Sequence, residues 1–170
     1  ALSVSDNVFL SGDVAPWFSY LVVKPYGTGH YLNGVSVSGN KFRSVLGGID
    51  RAERVDTSFS DLDFSRTKNV FYEGNTYHNV TAQPSNPLRV RHDQNSAAST
   101  WTVSPDGELP FQGRARGVDS VIAIGAVSGS GTLYALPYVQ LEQGANGDEV
   151  QLHWPEAAQG EVQVTMRMDK

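Results

Sequence analysis

Two aspartates separated by one residue, Asp61 and Asp63, form the acid pair in this sequence that best suits general acid–base chemistry. If the segment is a strand, both carboxylates lie on one face, with about 6.6 Å between their Cα atoms. That spacing is compatible with the ~6.5–9.5 Å between the carboxyl groups of an inverting glycosidase. The alternative is that both side chains are solvated on the outside of the fold, in a chain with 18% charged residues.

A lyase that acts beside a uronate carboxylate would instead need a basic side chain to remove a proton. Arg51 and Arg54 are candidates for that role, because they lie close in sequence to Asp50 and Asp56. The two hypotheses about acid–base chemistry therefore concern one short stretch of chain, residues 50–63.

Aromatic residues near the N-terminus could stack on the apolar faces of sugar rings. They lie in or beside residues 13–29, a Pro- and Gly-containing stretch that is predicted to be a long excursion: Trp17, Tyr20, Tyr26 and Tyr31. Exposed aromatic rings with a few polar groups beside them are typical of ligand sites. Trp17 follows a proline in a loop-like sequence, so it is the ring that we most expect to be exposed.

The composition excludes several kinds of site and partner. The chain has no cysteine, and its four histidines show no metal-ligand spacing, so we expect neither a metal nor a cofactor. A formal net charge of −5 argues against a nucleic-acid partner, which would need a basic surface. No apolar run approaches the ~18–20 residues of a membrane span, so we expect no membrane partner. The sequence begins at Ala1, and we expect it to be a piece of a longer protein.

An internal repeat predicts how these residues are positioned. Three segments, residues 2–9, 35–42 and 70–77, share the pattern apolar-x-(Val/Tyr)-x-(Asp/Gly)-Asn-x-(Phe/Tyr). Their asparagines are Asn7, Asn40 and Asn75, which are 33 and 35 residues apart. The two apolar residues of each copy point into one core from a short strand, and the Asp/Gly-Asn pair tolerates the positive φ of a corner.

Asparagines at equivalent corners can hydrogen-bond from one coil to the next as a ladder. A coil of parallel strands with turns at fixed corners is a right-handed β-helix, so the repeat predicts this fold for residues 1–82. Residues 54–59 could supply another strand of the same coil.

The pattern changes after residue 82. Residues 83–88 contain two prolines and are predicted to be a linker. Five short strands with turns between them then predict a small antiparallel β-sandwich over residues 89–170. They are expected at residues 99–103, 118–127, 132–141, 149–154 and 161–168. A stack of coils exposes its last strands, so this C-terminal domain is expected to cap them. The predicted fold class is all-β throughout.

The coils at residues 35–42 and 70–77, with the weaker copy at 2–9, resemble the rungs of pectate-lyase-superfamily β-helices. Within that group the sequence is most similar to the C-terminal region of phage and prophage tailspike-like proteins. The resemblance covers about residues 1–82. It implies polysaccharide as the ligand class, a homotrimer as the assembly, and an extracellular or virion-associated location. It carries over no catalytic residue, because no catalytic signature of the family is matched.

Three functions follow from these observations. The first is a module that caps and trimerises the end of a β-helix and is associated with recognition of cell-surface polysaccharide. The second is a polysaccharide hydrolase or lyase that uses the acid pair Asp61 and Asp63. The third is a stand-alone carbohydrate-binding domain with Trp17 as its platform. We expect the first, and whether the chain is an enzyme stays open.

Overall fold

The protein is all-β, as the sequence predicts. A computed structural model describes residues 2–169. Two short 3₁₀ helices, Phe64–Arg66 and Pro110–Gln112, interrupt the strands. In chain order the strands are β1 Leu2–Ser5, β2 Val8–Ser11, β3 Leu21–Val23, β4 Asn33–Ser38, β5 Lys41–Ser44, β6 Glu53–Val55, β7 Lys68–Glu73, β8 Thr76–His78, β9 Leu88–Val103, β10 Gly117–Ala123, β11 Tyr138–Gln143 and β12 Glu149–Arg167.

The first eight strands form three parallel sheets, each built from equivalent positions of successive repeats. The first sheet, β1-β4-β7, places Leu2 beside Val35 and Val35 beside Val70. The second, β2-β5-β8, places Phe9 beside Phe42 and Phe42 beside Tyr77. These registers are those of the sequence repeat. The third sheet pairs β3 with β6, and residues 2–82 with their three sheets are called the stacked-strand region below.

The side chains between the sheets form a layered core. Val35, Val37, Val70 and Tyr72 are all buried, because alternate residues of β4 and β7 point inward. Aromatic rings stack between layers, with 5.0 Å between the ring centroids of Phe9 and Phe42 and 5.7 Å between those of Phe42 and Tyr77. Each layer therefore repeats the side chains of the one below it.

The corner between the first and second sheets has the backbone that the repeat predicts. The residue before each asparagine has a positive φ: 58° at Asp6, 67° at Gly39 and 69° at Gly74. A Cβ on Gly39 would meet the Asp6 carboxylate and would also have to adopt this positive φ, so the middle layer favours glycine.

The asparagines of these corners are joined by hydrogen bonds. The Asn40 side chain accepts from the backbone N–H of Asn7 at 3.0 Å, and its amide donates to Asn75 Oδ1 at 3.0 Å. The same amide donates to the carbonyl of Val4 at 2.9 Å. Asn40 is fully buried, so these bonds satisfy its polar atoms inside the stack.

The C-terminal half forms one four-stranded antiparallel sheet, called the C-terminal sheet. Strand β12 is central. It pairs with β9 on one side and with β10 and β11 on the other. The prediction of five short strands is wrong, because residues 149–154 and 161–168 belong to one long strand whose register shifts between His153 and Gly160. The expected strand at 132–141 begins only at Tyr138, and that at 99–103 begins already at Leu88.

The C-terminal sheet is anchored to the last layer of the stacked-strand region. Asp169 Oδ2 accepts from the backbone N–H of Val70 at 2.9 Å, on the edge of β7 that no strand of residues 2–169 covers. Asn86 exchanges backbone hydrogen bonds with Tyr72 and donates its side-chain amide to the Val70 carbonyl. Asn86 is fully buried, so residues 83–88 are part of this junction and not a free linker.

A buried ion pair makes a second junction. Glu53 of β6 is fully buried and pairs with Arg51 at 2.5 Å. Its carboxylate accepts from the backbone N–H of Phe111, while Arg51 donates to the carbonyls of Gly107 and Leu109. Burial raises the pKa of the Glu53 carboxyl, although Arg51 and the N–H of Phe111 oppose the shift. These contacts fasten the loop at residues 105–113 to the segment that contains Arg51 and Glu53.

Candidate functional site

The outer face of the sheet formed by β3 and β6 carries exposed aromatic side chains together with half-buried charged ones. Leu21, Val23 and Val55 pack against the core, so their neighbours Val22 and Arg54 face outward. We call this surface the outer strip. It consists of Trp17, Val22, Lys24, Tyr26, Arg54, Asp56 and Phe59.

Trp17 lies at one end of the outer strip. Its side chain is 66% exposed, as its position beside Pro16 indicates. The Arg54 guanidinium carbon lies 5.7 Å from its ring centroid, which is within the range of a cation–π contact. The Nε of Arg54 is buried and has no hydrogen-bond partner among the described residues. Arg54 thus supports an exposed indole ring while one of its own donors stays unused.

The other end of the outer strip combines two rings with an ion pair. Tyr26 and Phe59 are exposed, with 5.2 Å between their centroids. Lys24 Nζ lies 5.0 Å from the Phe59 centroid and 2.9 Å from Asp56 Oδ2. The hydrogen bond from Lys24, helped by bonds from Ser58, lowers the pKa of Asp56 to about 2. The Asp56 carboxylate is therefore ionised at neutral pH.

Two of the four predicted aromatic residues lie outside the outer strip. Tyr20 is half-buried, with its ring 5.6 Å from that of Phe9 and 5.7 Å from that of Phe42. Its hydroxyl donates to the Arg43 carbonyl at 2.7 Å. Tyr31 lies against Arg66, whose guanidinium carbon is 4.2 Å from its ring centroid. Of the predicted set, the structure thus brings Trp17 and Tyr26 to one surface.

The acid pair lies in a loop, so the premise that Asp61 and Asp63 are strand neighbours on one face is wrong. Asp63 precedes the 3₁₀ helix Phe64–Arg66 and accepts from the N–H and the hydroxyl of Ser65. The Ser65 hydroxyl is the main cause of the lowered pKa of Asp63. A general acid needs a raised pKa, so Asp63 is poorly suited to that role.

Asp61 instead lines a polar cleft of about 630 Å³. Phe64 also lines the cleft, and the walls from the C-terminal half bring Asp106, Asp148 and Glu149 together with Arg114. Sequence reasoning missed this group because its members come from segments far apart in the chain. No short motif links them.

The arginines proposed as lyase bases have other partners. Arg51 is bound by Glu53 and by carbonyls of the loop at 105–113, as described above. Arg54 lies against Trp17. Within residues 2–169, no group of three or more histidine, aspartate or glutamate side chains is placed to hold a metal ion. In the same residues, no helix has the length and apolar character needed to cross a membrane.

Comparisons with protein-family models, with curated proteins and with solved structures find no match. The class of the protein is therefore defined by its own structure. It is an all-β chain in which three parallel sheets precede one antiparallel sheet. The function has to be argued from the surface.

Proposed function

We propose that the stacked-strand region is the end of a right-handed parallel β-helix and that the C-terminal sheet caps it. The matched registers of three repeats support the helix, and right-handed crossovers are the rule for parallel strands. The hydrogen bonds of Asp169 and Asn86 to β7 support the cap, because they occupy an edge that could otherwise pair with another chain.

We further propose that this end of the protein binds polysaccharide through the outer strip, as part of a tailspike-like protein that acts outside the cell or on a virion. The observation that carries the proposal is the association of exposed rings with charged groups on one sheet face. Rings such as Trp17 can stack on the apolar faces of sugars. The Lys24–Asp56 pair and Arg54 can donate to and accept from sugar hydroxyls.

Recognition at this surface requires little rearrangement. Arg54 and the Lys24–Asp56 pair project from paired strands or directly after them, so their backbone is fixed by the parallel ladder. The open, shallow shape of a sheet face suits an extended chain of sugars rather than a small molecule. Binding would then come from several weak contacts along the strip.

The polar cleft supports a second candidate, a polysaccharide hydrolase. Asp61 and three further carboxylates line it, and hydrolysis of a glycosidic bond uses two such groups. In this mechanism Asp61 acts with a carboxylate from the C-terminal half, and Asp63 takes no part.

A glycan array followed by titration of the bound glycans tests the binding proposal. We expect Trp17→Ala to weaken binding about tenfold or more, which corresponds to about 1.4 kcal/mol. The matched control is Phe71→Ala, because Phe71 is an exposed ring on the outer face of β7, in a different sheet. Absence of any bound glycan, or equal losses in the two variants, would overturn the proposal.

The hydrolase candidate is tested with the glycans that the array identifies. Release of reducing ends that is abolished by Asp61→Asn but retained in Trp17→Phe would establish cleavage in the polar cleft. Binding without any release of reducing ends would refute the hydrolase and leave the binding module.

A further inference from the structure

A cavity on one face of the C-terminal sheet, called the apolar cavity, lies apart from the outer strip and the polar cleft. It has a volume of about 420 Å³, which is within the range of small-molecule sites. Its floor comes from the sheet. Val121 and Ala123 are alternate residues of β10 and share one face, and Ala123 pairs with Val162 of β12. Trp154 of β12 completes the floor.

The connection between β10 and β11, residues 124–137, supplies the other walls. Val127 and Leu133 line the cavity, and the Leu133 N–H donates to the Val127 carbonyl at 2.8 Å, which closes the base of the connection. Tyr134 and Leu136 also line the cavity, although they are 92% and 85% exposed. These two side chains therefore lie at its mouth, where a bound molecule would cover them.

The walls of the apolar cavity carry no charged side chain among the described residues. Residues 120–141 are a run of 22 residues without Asp, Glu, Lys or Arg, in a chain that is 18% charged. A charged ligand would lose its hydration here and gain no counter-ion. The walls therefore favour a neutral and largely apolar molecule.

One polar group in the floor has no partner. The Nε1 of Trp154 is buried and has no hydrogen-bond acceptor within residues 2–169. The ring of Trp101 lies 4.9 Å away, and its own indole N–H donates to the carbonyls of Ala98 and Ala158. Because buried indole N–H groups usually have an acceptor, Trp154 is an exception that a ligand oxygen would remove.

The wall above the floor has a segment that can move to admit a ligand. Trp154 Nε1 is shielded from solvent, so a ligand has to displace part of the wall to reach it. Residues 133–137 belong to no strand, and positions 134–136 make no hydrogen bond to another backbone group in the described part of the chain. Displacement of this segment therefore breaks no strand pairing.

We propose that the apolar cavity binds a small neutral carbonyl compound, whose oxygen accepts a hydrogen bond from Trp154 Nε1. The hydrocarbon part of such a molecule contacts the aliphatic floor and covers Tyr134 and Leu136 at the mouth. The carbonyl oxygen pairs with the one buried donor that the fold leaves unused. Neutral charge, apolar bulk and a single acceptor thus define the ligand class.

Two probes that differ only at the acceptor test the proposal, 2-acetylnaphthalene and 2-ethylnaphthalene, with binding measured by equilibrium dialysis. The ketone should bind about tenfold more tightly than the hydrocarbon, because it alone pairs with the buried donor. In the unaltered protein, the indole N–H resonance of Trp154 should move downfield with the ketone and not with the hydrocarbon.

Three variants locate the binding. Trp154→Phe should remove the difference between the probes, and Ala123→Phe should abolish binding of both, because it fills the cavity from an exposed strand position. The matched control is Tyr138→Phe, which also removes a polar group from an aromatic ring but pairs with His153 on the opposite face of the sheet. This control should bind both probes as the unaltered protein does. Circular dichroism checks that each variant is folded.

Several results would overturn the proposal. These are no binding of either probe, equal affinities for the two probes in the unaltered protein, or binding that persists in folded Ala123→Phe. Absence of binding in a protein whose mass by light scattering is a multiple of 18.4 kDa would show instead that a second copy covers the cavity. No sugar enters these measurements, so this proposal and the proposed function can fail separately.

Discussion

The asparagine ladder yields a graded prediction about stability. The side chain of Asn40 makes four hydrogen bonds, that of Asn75 makes three and that of Asn7 makes two. A hydrogen bond contributes about 1 kcal/mol net to folding, so Asn40→Ala should lower the free energy of unfolding by about 4 kcal/mol. That loss is large against the ~5–15 kcal/mol by which domains are stable.

Because the three asparagines differ in burial, the losses of stability should differ more than the numbers of hydrogen bonds alone imply. Asn40 is fully buried, so its removal leaves the N–H of Asn7 and the carbonyl of Val4 without their partner. Asn7 is exposed, and water can replace what it loses. We expect Asn7→Ala to cost about 1 kcal/mol or less, with Asn75→Ala between the two.

Urea unfolding followed by tryptophan fluorescence measures these losses as shifts in the midpoint at a constant slope. Asn7→Ala serves as the matched control, because it makes the same chemical change at the end of the same ladder. If Asn40→Ala costs no more than Asn7→Ala, the ladder does not hold the layers together, and the argument from the repeat is wrong.

Three further predictions concern the charged groups. Carboxyl chemical shifts should give Asp56 a pKa of about 2, and Lys24→Met should return it toward 3.8. Because Glu53 has a raised pKa in the folded protein, the free energy of unfolding should fall as the pH rises from about 4.5 through the folded pKa. Urea midpoints measured across this pH range should show the fall in the unaltered protein and not in Glu53→Gln. Asp169→Ala should lower the free energy of unfolding in urea by about 3 kcal/mol, because it leaves two buried donors unpaired, the backbone N–H of Val70 and the side-chain amide of Asn86. Equal urea midpoints for Asp169→Ala and the unaltered protein would show that this anchor is dispensable.

The sequence predicted the stacked strands well where the repeat was complete. Each copy specifies two inward apolar residues, a corner and an aromatic residue, and these local requirements leave one register that superimposes all of them. The pairing of Phe9 with Phe42 and of Phe42 with Tyr77 follows from that register alone. Parallel stacking of copies made the long-range contacts readable from local sequence.

Prediction was weaker where the chain departs from the repeat. Residues 13–29 were expected to be an excursion, yet Leu21–Val23 forms the third sheet with Glu53–Val55. The strand is only three residues long, too short for alternation to show. Its formation draws Tyr20 inward to the ring of Phe42, and thereby removes it from the surface.

The fold of the C-terminal half and the polar cleft could not be predicted from the sequence, because both depend on contacts between segments that lie far apart in the chain. The sequence predicts a turn at residues 157–160, between the strands expected at 149–154 and 161–168. The structure continues β12 through them with irregular pairing to β9. Similarly, Asp63 was paired with Asp61 by spacing, whereas the hydroxyl and N–H of Ser65 decide its conformation.

The short strand β6 connects the C-terminal half to the outer strip. Its residue Glu53 points inward and holds the loop at 105–113 through the N–H of Phe111, while the next residue, Arg54, points outward beneath Trp17. Alternation along a strand thus assigns adjacent residues to two different tasks. The attachment of the C-terminal half to Glu53 therefore also holds the strand that presents Arg54 on the outer strip.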